Sequence, residues 1–502
     1  MNAATDDAGE CAALLAAQAT GTVAELPDGH FIDGRFAAAV GGARMESFDP
    51  GRAAPFAQFA AGDAQDAALA VAAARRALAG PWGRATPAER GRVLQRAAAL
   101  LRAEAGRFAV VETLDSGKRL SEARGDVASA ARAFEYYAGA CDKLQGEVIP
   151  LDRDHLAYTR IEPVGVCAQI VPWNYPLSTA ARGLAPALAA GCTVVLKPAE
   201  TTPFTALMLA ELLARAGLPA GACNVVTGTG AEAGAPLVAH PDVDHVTFTG
   251  SVRTGIGVMQ AAAPQVTRVL LELGGKSPLI VMADCDVEQA LDGAFGAIFE
   301  NAGQICSAGS RLLVQRPLHA RFVAALVQRA QALPLGHGLR DAGMGPVNSA
   351  AHQARIDGFV ARARARGVSV LCGGQPAVDP VTGSGWFYAP TVLDDVDADD
   401  EAVQQEIFGP VLCVQPFDDA DQALALANGT DFALVAGVYT RDFALAHRFA
   451  RDLDAGQVYI NEFFAGGIEV PFGGNRQSGF GREKGLEGLR SYCRTKSVAA
   501  RL

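Results

Sequence analysis

The stretch Asn301-Ala-Gly-Gln-Ile-Cys306-Ser-Ala-Gly-Ser-Arg311 sets a nucleophile in a loop with space around it. Ala302, Gly303, Ala308 and Gly309 leave room for another molecule to approach the Cys306 sulfur. A thiolate is a strong nucleophile even when only partly ionised, so the chemistry open to this loop is covalent catalysis. A cysteine can equally be a small packed apolar side chain, which is the default for most of the ten cysteines here.

Other stretches offer groups that such a nucleophile would need. Leu271-Glu-Leu-Gly-Gly-Lys-Ser-Pro278 puts Glu272 at an apolar strand end before two glycines, where a carboxylate is either ion-paired or poised as a base by burial. Pro172-Trp-Asn-Tyr-Pro176 is a rigid turn whose Asn174 amide could donate to a developing oxyanion, although Asn is common in turns for other reasons. Gly228-Thr-Gly230-Ala-Glu-Ala-Gly234 has the spacing G-x-G-x-x-x-G, one residue longer than a dinucleotide fingerprint. Phe248-Thr-Gly250-Ser-Val-Arg-Thr-Gly255 follows a strand and opens a helix, so free N–H groups and the Ser251 hydroxyl could meet a pyrophosphate. Leu196-Lys-Pro-Ala-Glu200 ends another strand; Lys197 and Glu200 form either a surface ion pair or a ribose site.

The elements that must carry these groups follow from pattern. Apolar runs at 164–171, 193–196, 224–227 and 244–248 alternate with helical segments and predict a doubly wound parallel sheet, which binds ligands at its carboxyl edge. A second alternation runs from about Leu279 to Ile460. Ahead of the first sheet, His30–Arg35 reads as a strand, 63–79 as a helix, Thr86 with Glu89 as a capping box, and 120–144 as a helix. Gly146–Glu162 reads as an exposed hairpin suited to pairing subunits, and the tail Tyr492–Leu502 as a strand for another subunit's sheet.

Composition narrows the class. Half of the 502 residues are hydrophobic, 19% are charged, and the net charge is −11 with no basic stripe, which argues against nucleic acid. The cysteines show no C-x-x-C pair and the histidines no useful cluster, so no metal site is expected and a reducing cytoplasm is. His240 and His245 read as loop and strand-edge residues. No apolar run reaches the roughly 18 residues that a membrane span needs. Residues 1–20, acidic at the start, read as an Ala-rich arm open to disorder and not as a secretory signal.

PWNYP, LKPAE, FTGS, LELGGKSP, GQICSAGSR, EIFGPV (Glu406–Val411) and PFGGNRQSGFGREKG (Pro471–Gly485) occur in the order found in the aldehyde dehydrogenase superfamily, and the 34-residue separation of Glu272 and Cys306 suits it too. The chain resembles the NAD(P)-dependent, non-acylating branch from about residue 30 to the end. The resemblance implies an α/β fold with a Rossmann-like cofactor-binding domain (1–145 and 163–274), an α/β catalytic domain (275–474), an oligomerisation hairpin (146–162) and a return segment with an oligomerisation tail (475–502).

It also implies roles. Cys306 would attack the aldehyde, Asn174 and the Cys306 N–H would hold the oxyanion, and Glu272 would activate water on the thioester. Trp173, Lys197, Glu200, Gly230, Gly250, Ser251, Glu406 and Phe408 would hold the cofactor, with Glu200 favouring NAD over NADP. Tyr175, Arg182, Glu300, Ile305, Ser307, Phe463 and Phe464 would form the substrate mouth. The implied partners are a small aldehyde and further copies of the chain, as a homodimer or homotetramer.

One departure stands out. Relatives carry a lysine, part of a proton relay with the glutamate matching Glu483, where this chain has Gly183. Water or Arg182 could substitute, or the relay could be absent. Arg182 falls where succinate-semialdehyde dehydrogenases bind a carboxylate, but Glu300 replaces their second arginine and Gly467 their serine, so Arg182 and Glu300 are expected to neutralise each other. An arginine at this position also disfavours a cationic aldehyde. An uncharged aliphatic or aromatic aldehyde is therefore expected, with succinic semialdehyde as the alternative. A Cys306-dependent esterase and a non-enzymatic binding protein on the same fold are the readings from other classes.

Overall fold

Buried β-branched runs organise the chain into two parallel sheets, seen in a computed structural model that describes Leu14, Ala16, Ala17 and residues 20–502. Most of the Ala-rich N-terminal arm lies outside the described residues. The first sheet has eight strands. Its parallel centre runs Cys223–Val225, Thr193–Lys197, Val166–Ile170, His245–Thr249, Arg268–Glu272 in spatial order. Chain order starts at Val166–Ile170 and goes outward first to one side and then to the other. The crevice between Val166–Ile170 and His245–Thr249 is thus the topological switch point, where such sheets bind ligands.

Helices cover both faces. Ala64–Ala79 begins at Asp63 and Pro87–Ala103 at Thr86, each through a capping box, so the Thr86/Glu89 signal marks a true helix start. Pro176–Ala190 packs Leu177, Leu184 and Leu188 into the core and ends at Gly191 in the left-handed conformation. The helix predicted over 120–144 stops at Ala138, because the chain turns at Gly139.

The predicted strand His30–Arg35 is a tight hairpin. His30–Ile32 pairs with Arg35–Ala37 about Asp33 and Gly34, both at positive φ, the preference of an Asp-Gly two-residue turn.

The second sheet has seven strands, with Val411–Phe417, Arg311–Gln315, Pro278–Val281 and Val435–Tyr439 at its parallel centre. The return segment crosses back to the first sheet, where Gly479–Phe480 pairs antiparallel with Leu271–Glu272. A separate three-stranded sheet joins Val148–Ile149, His155–Pro163 and the tail strand Cys493–Arg501. The tail pairs with His155–Pro163 of its own chain along its whole length and forms an edge of this three-stranded sheet. Continuous register from Cys493↔Pro163 to Arg501↔His155 satisfies the backbone groups that the hairpin would otherwise expose. Among the described residues no helix is long and apolar enough to cross a membrane.

Candidate active site

A cavity of about 970 Å³ opens between the two sheets at the switch point. Pro172, Trp173 and Asn174 enter it from the end of Val166–Ile170, and Thr249, Gly250 and Ser251 from the end of His245–Thr249. Glu272, at the last position of its strand, faces the same space, and Cys306 lies on the wall supplied by the second sheet.

The Cys306 loop is tightly specified. It leaves the helix Val287–Phe299 through Asn301, Ala302 and Gly303, all with φ between 47° and 71°. Two non-glycine residues in a row at positive φ are unfavourable and persist only where surroundings over-determine them. Here they do. The Asn301 backbone N–H donates to Glu122 (2.9 Å), its amide donates to the Asn174 carbonyl (3.2 Å), and the Gln304 amide donates to the Asn301 carbonyl (3.0 Å). Gly303 lies so close to the Gly409 carbonyl that a Cβ there would overlap it. Arg311 closes the loop from below: fully buried, it donates to the carbonyls of Lys276, Leu426 and Ala427.

The two glycines before Lys276 have specific work. A Cβ at Gly274 would collide with the Glu406 carboxylate, and one at Gly275 would lie 2.5 Å from the Cys306 carbonyl. The Glu272 strand end, the Cys306 loop and the Glu406 loop can meet only because both positions lack side chains.

Asn174 is buried, and its amide donates to the Gln304 carbonyl at 2.8 Å. An amide has two N–H donors, so one remains for a ligand. Glu272 is 2% exposed, and neither carboxylate oxygen has a hydrogen-bond partner among the described residues. Burial, reinforced by the Glu483 carboxylate, holds its pKa well above the carboxylate range, while Arg182, Arg482 and Lys484 oppose the shift. Burial also pushes the Cys306 thiol up to about 12, with Arg182 as the main opposing influence.

Arg182 ion-pairs with Glu483, not with Glu300. The expected Arg182–Glu300 neutralisation is therefore overturned. Arg182 points inward from the helix Pro176–Ala190 to the buried return segment, whereas Glu300 faces Glu122, Arg119 and Lys118. Gly183 has no room for a side chain as packed: Gln169 fills that space and donates to the carbonyls of Thr179 (3.2 Å) and Ala180 (3.3 Å).

Trp173, Phe408 and His352 form an edge-on aromatic cluster, with Trp173–Phe408 centroids 5.3 Å apart and Trp173–His352 5.2 Å apart. His352 donates through Nε2 to the Phe408 carbonyl (2.6 Å), and burial lowers its pKa to about 4, so the ring is neutral. Arg355 donates to the carbonyls of Glu406 (2.7 Å) and Ile407 (3.0 Å). These two residues, one helical turn apart in Ala350–Ala365, fix the Glu406–Phe408 loop. Sequence reading missed both, since neither stands in a motif; their helical spacing was the only available signal.

Glu406 receives the Gly275 N–H (3.1 Å), and burial raises its pKa to about 7. Ser251 caps the helix Val252–Ala262, leaving first-turn N–H groups free for an anion. Lys197, Glu200 and Gly230 lie off this cavity wall, at the ends of the adjoining strands. Lys197 is buried and bonded to Glu200 (3.2 Å), and Gly234 lies beside the Lys197 stem. Within this glycine-rich segment, Gly230–Gly234 is one π-helical turn capped by Thr229.

Among the expected substrate residues, Tyr175, Arg182, Glu300, Ile305, Ser307 and Phe464 line the cavity. Phe463 does not. Its ring packs against Tyr459 (5.1 Å) and over Gly437, where a Cβ would lie 2.7 Å from it. Missed at this end are Asp126 and Lys484, which line the cavity, and the fully buried Lys118, which pairs with Asp126 and sits 4.2 Å over the Tyr175 ring. Among the described residues no group of three His, Cys, Asp or Glu side chains is placed to hold a metal.

The cavity thus unites a cysteine thiol, a buried carboxylate, an oriented amide donor and a helix N-terminus beside an aromatic wall. The aldehyde dehydrogenase family profile matches residues 36–498. A betaine aldehyde dehydrogenase of Bacillus subtilis (strain 168) is 42% identical over 472 residues, 93% of this chain and 96% of that one. Among solved structures, the NAD+ complex of an aldehyde dehydrogenase from Bacillus cereus superposes with a TM-score of 0.93 at 41% identity, covering 95% of this chain and 96% of that one. A betaine aldehyde dehydrogenase from Staphylococcus aureus in complex with NAD+ gives a TM-score of 0.95 at 37% identity, covering 98% and 97%.

Proposed function

Because the chain belongs to the aldehyde dehydrogenase family, we propose that it oxidises an aldehyde to its carboxylic acid with NAD, through an acyl group carried on Cys306. The observation that carries this reading is the meeting of Cys306, Asn174 and Glu272 on one cavity at the switch point.

In this mechanism the Cys306 thiol loses its proton to water in the cavity, and its sulfur bonds to the aldehyde carbon and forms a thiohemiacetal. The free Asn174 N–H and the Cys306 backbone N–H stabilise its oxyanion, the kind of preorganised donor pair that contributes most to such reactions. NAD, when bound, supplies the acceptor for the hydride that leaves this carbon. Glu272 then takes a proton from water as its oxygen adds to the thioester, and the carbon–sulfur bond breaks to release the acid and regenerate the thiolate. A base at Glu272 favours water over coenzyme A as the acyl acceptor.

The cavity suits a dinucleotide on its own features. The helix N-terminus at Ser251 fits a pyrophosphate, the carboxylate of Glu406 a ribose, and the Trp173–Phe408 wall a flat ring. Gly250 lies at the same strand end, and Lys197, Glu200 and Gly230 would hold the adenosine end. Glu200 favours NAD over NADP, since a carboxylate repels a 2′-phosphate.

For the substrate we favour an uncharged aliphatic or aromatic aldehyde. Arg182 is engaged by Glu483, which removes the free cation that succinic semialdehyde would need. Aromatic side chains at Tyr175, Tyr459, Phe464 and Phe472 line the space. A trimethylammonium aldehyde is a second reading, supported by the names of two relatives and by Asp126 and Glu300 on the wall, and opposed by Arg182 and Lys484. We assign 1–145 and 163–274 to cofactor binding, 275–474 to catalysis, and 146–162 with 475–502 to assembly as a homodimer or homotetramer. The exposure of Val148 on the three-stranded sheet and of Leu151 in the connection that follows it supports the last assignment. A cytoplasmic location agrees with described cysteines that are all free. Formation of reduced nicotinamide over a panel of uncharged, carboxylated and trimethylammonium aldehydes tests the reaction and the substrate class together. No turnover on any member would overturn it.

A further inference from the structure

We propose that Lys484 is the proton exit of this site, its amine receiving the proton that Glu272 takes from the hydrolytic water and releasing it to solvent in the cavity. The inference rests on the hydrolytic reading above. Glu272 lines the cavity but is only 2% exposed and has no hydrogen-bond partner among the described residues, so no group bonded to it takes up the proton it gains, and a second group facing the same cavity can.

The charged groups around Glu272 are Glu483, Arg182, Arg482 and Lys484. Arginines stay protonated, and Glu483 is held by Arg182. That leaves Lys484, which lines the cavity and is partly exposed to it. Its amine sits 5.0 Å over the Phe472 ring, against which the Arg182 guanidinium also lies, at 5.4 Å. Among the described residues the amine has no ion pair.

The backbone singles out the same residue. Lys484 has φ 59° and ψ 176°, a conformation suited to glycine, and it directly precedes the helix Gly485–Ser491, where a cation opposes the helix dipole. It is held there because Glu483 exchanges both backbone hydrogen bonds with Phe472 (2.7 and 2.8 Å) and the Gly485 N–H bonds to Ile468 (2.6 Å). Strain of this kind concentrates at functional sites. Burial and the neighbouring Arg182 bring the amine down to about 8, while Glu483, Cys306 and Glu272 pull the other way, and Glu469 lies on the adjoining loop. An amine titrating near 8 can both take and give a proton at physiological pH.

The proton ledger closes as follows. Water gives its oxygen to the acyl carbon and its proton to Glu272; Glu272 passes the proton to the neutral amine, directly or through solvent; the resulting ammonium returns it to bulk water.

The test is acyl-enzyme decay, followed by rapid quench and mass spectrometry, in wild type, Lys484→Ala and Lys484→Arg at pH 8.5. Both variants should keep the burst of reduced nicotinamide while acyl-enzyme decay slows about tenfold or more. Arginine should not rescue, because it keeps the charge but cannot accept a proton. Methylamine should restore decay of the Ala variant with the acid as product, and tetramethylammonium should not. Wild-type decay in Lys484→Arg, or equal rescue by the two cations, would overturn the proposal. Formation of reduced nicotinamide by the wild type without release of the carboxylic acid into water would instead overturn the hydrolytic reading on which it rests.

Discussion

The Asn174 amide donates to the carbonyl of Gln304 at 2.8 Å, two residues before Cys306, the proposed nucleophile. Asn301 answers by donating to the Asn174 carbonyl at 3.2 Å. The turn after the first sheet's central strand and the cysteine loop therefore hold one another in register, and one Asn174 N–H is left aimed at the cavity. Asn174→Ala should lower the rate of hydride transfer by about 10²–10³ while leaving NAD binding within a few-fold. Stopped-flow measurement of reduced nicotinamide checks this; an unchanged burst rate would show that the amide serves the loop alone.

Cys306→Ala should abolish turnover with NAD affinity nearly intact, because the sulfur lies in the cavity while the wall proposed for the cofactor is built by Trp173, His352 and Phe408. Fluorescence titration with NAD beside an activity assay separates the two. Loss of NAD binding would make the loop structural, and persistent ester hydrolysis would implicate another nucleophile.

Arg182 and Glu483 form a nearly buried pair, 15% and 6% exposed. Removing one partner strands the other, so Arg182→Met should destabilise the protein by about 3–5 kcal/mol, and Arg182→Met with Glu483→Gln by much less. Thermal unfolding of the single and double variants decides. If Arg182 served a substrate carboxylate instead, Arg182→Met would keep its stability and lose only succinic semialdehyde.

Restoring a lysine at position 183 should fail unless Gln169 is changed with it, because Gln169 occupies the space that the new side chain needs. Gly183→Lys alone is expected to cost about 1–3 kcal/mol, and Gln169→Ala should relieve most of that. Equal stability of the single and double variants would show that the helix Pro176–Ala190 shifts to make room.

Much of this was legible in the chain itself. Glu272, Asn174, Cys306, Ser251 and Glu406 each stand in a motif whose glycines or prolines announce close approach, and Gly274 and Gly275 do admit Glu406 and the Cys306 backbone. Parallel strands and capping boxes likewise follow from local pattern. What was not legible depends on packing between distant segments. The partner of Arg182 lies about 300 residues away, Phe463 turns behind Gly437 through its own ring packing, and the tail strand finds its partner in its own hairpin. His352, Arg355 and Lys118 stand outside the motifs and gain meaning only once the Glu406 loop and Tyr175 are placed beside them.

The central claim is that Cys306 carries an acyl group which Glu272 hydrolyses. It is tested most directly by mixing enzyme, NAD and aldehyde rapidly and following reduced nicotinamide in wild type and Glu272→Gln. Burial raises the Glu272 pKa, and only its ionised form is a base, so wild-type acyl hydrolysis should rise with pH above the ordinary carboxylate range. Glu272→Gln should give a burst stoichiometric with sites, then stall with acyl-enzyme accumulated and lose that pH rise. A wild-type steady-state rate in Glu272→Gln, or the absence of any burst, would contradict the account.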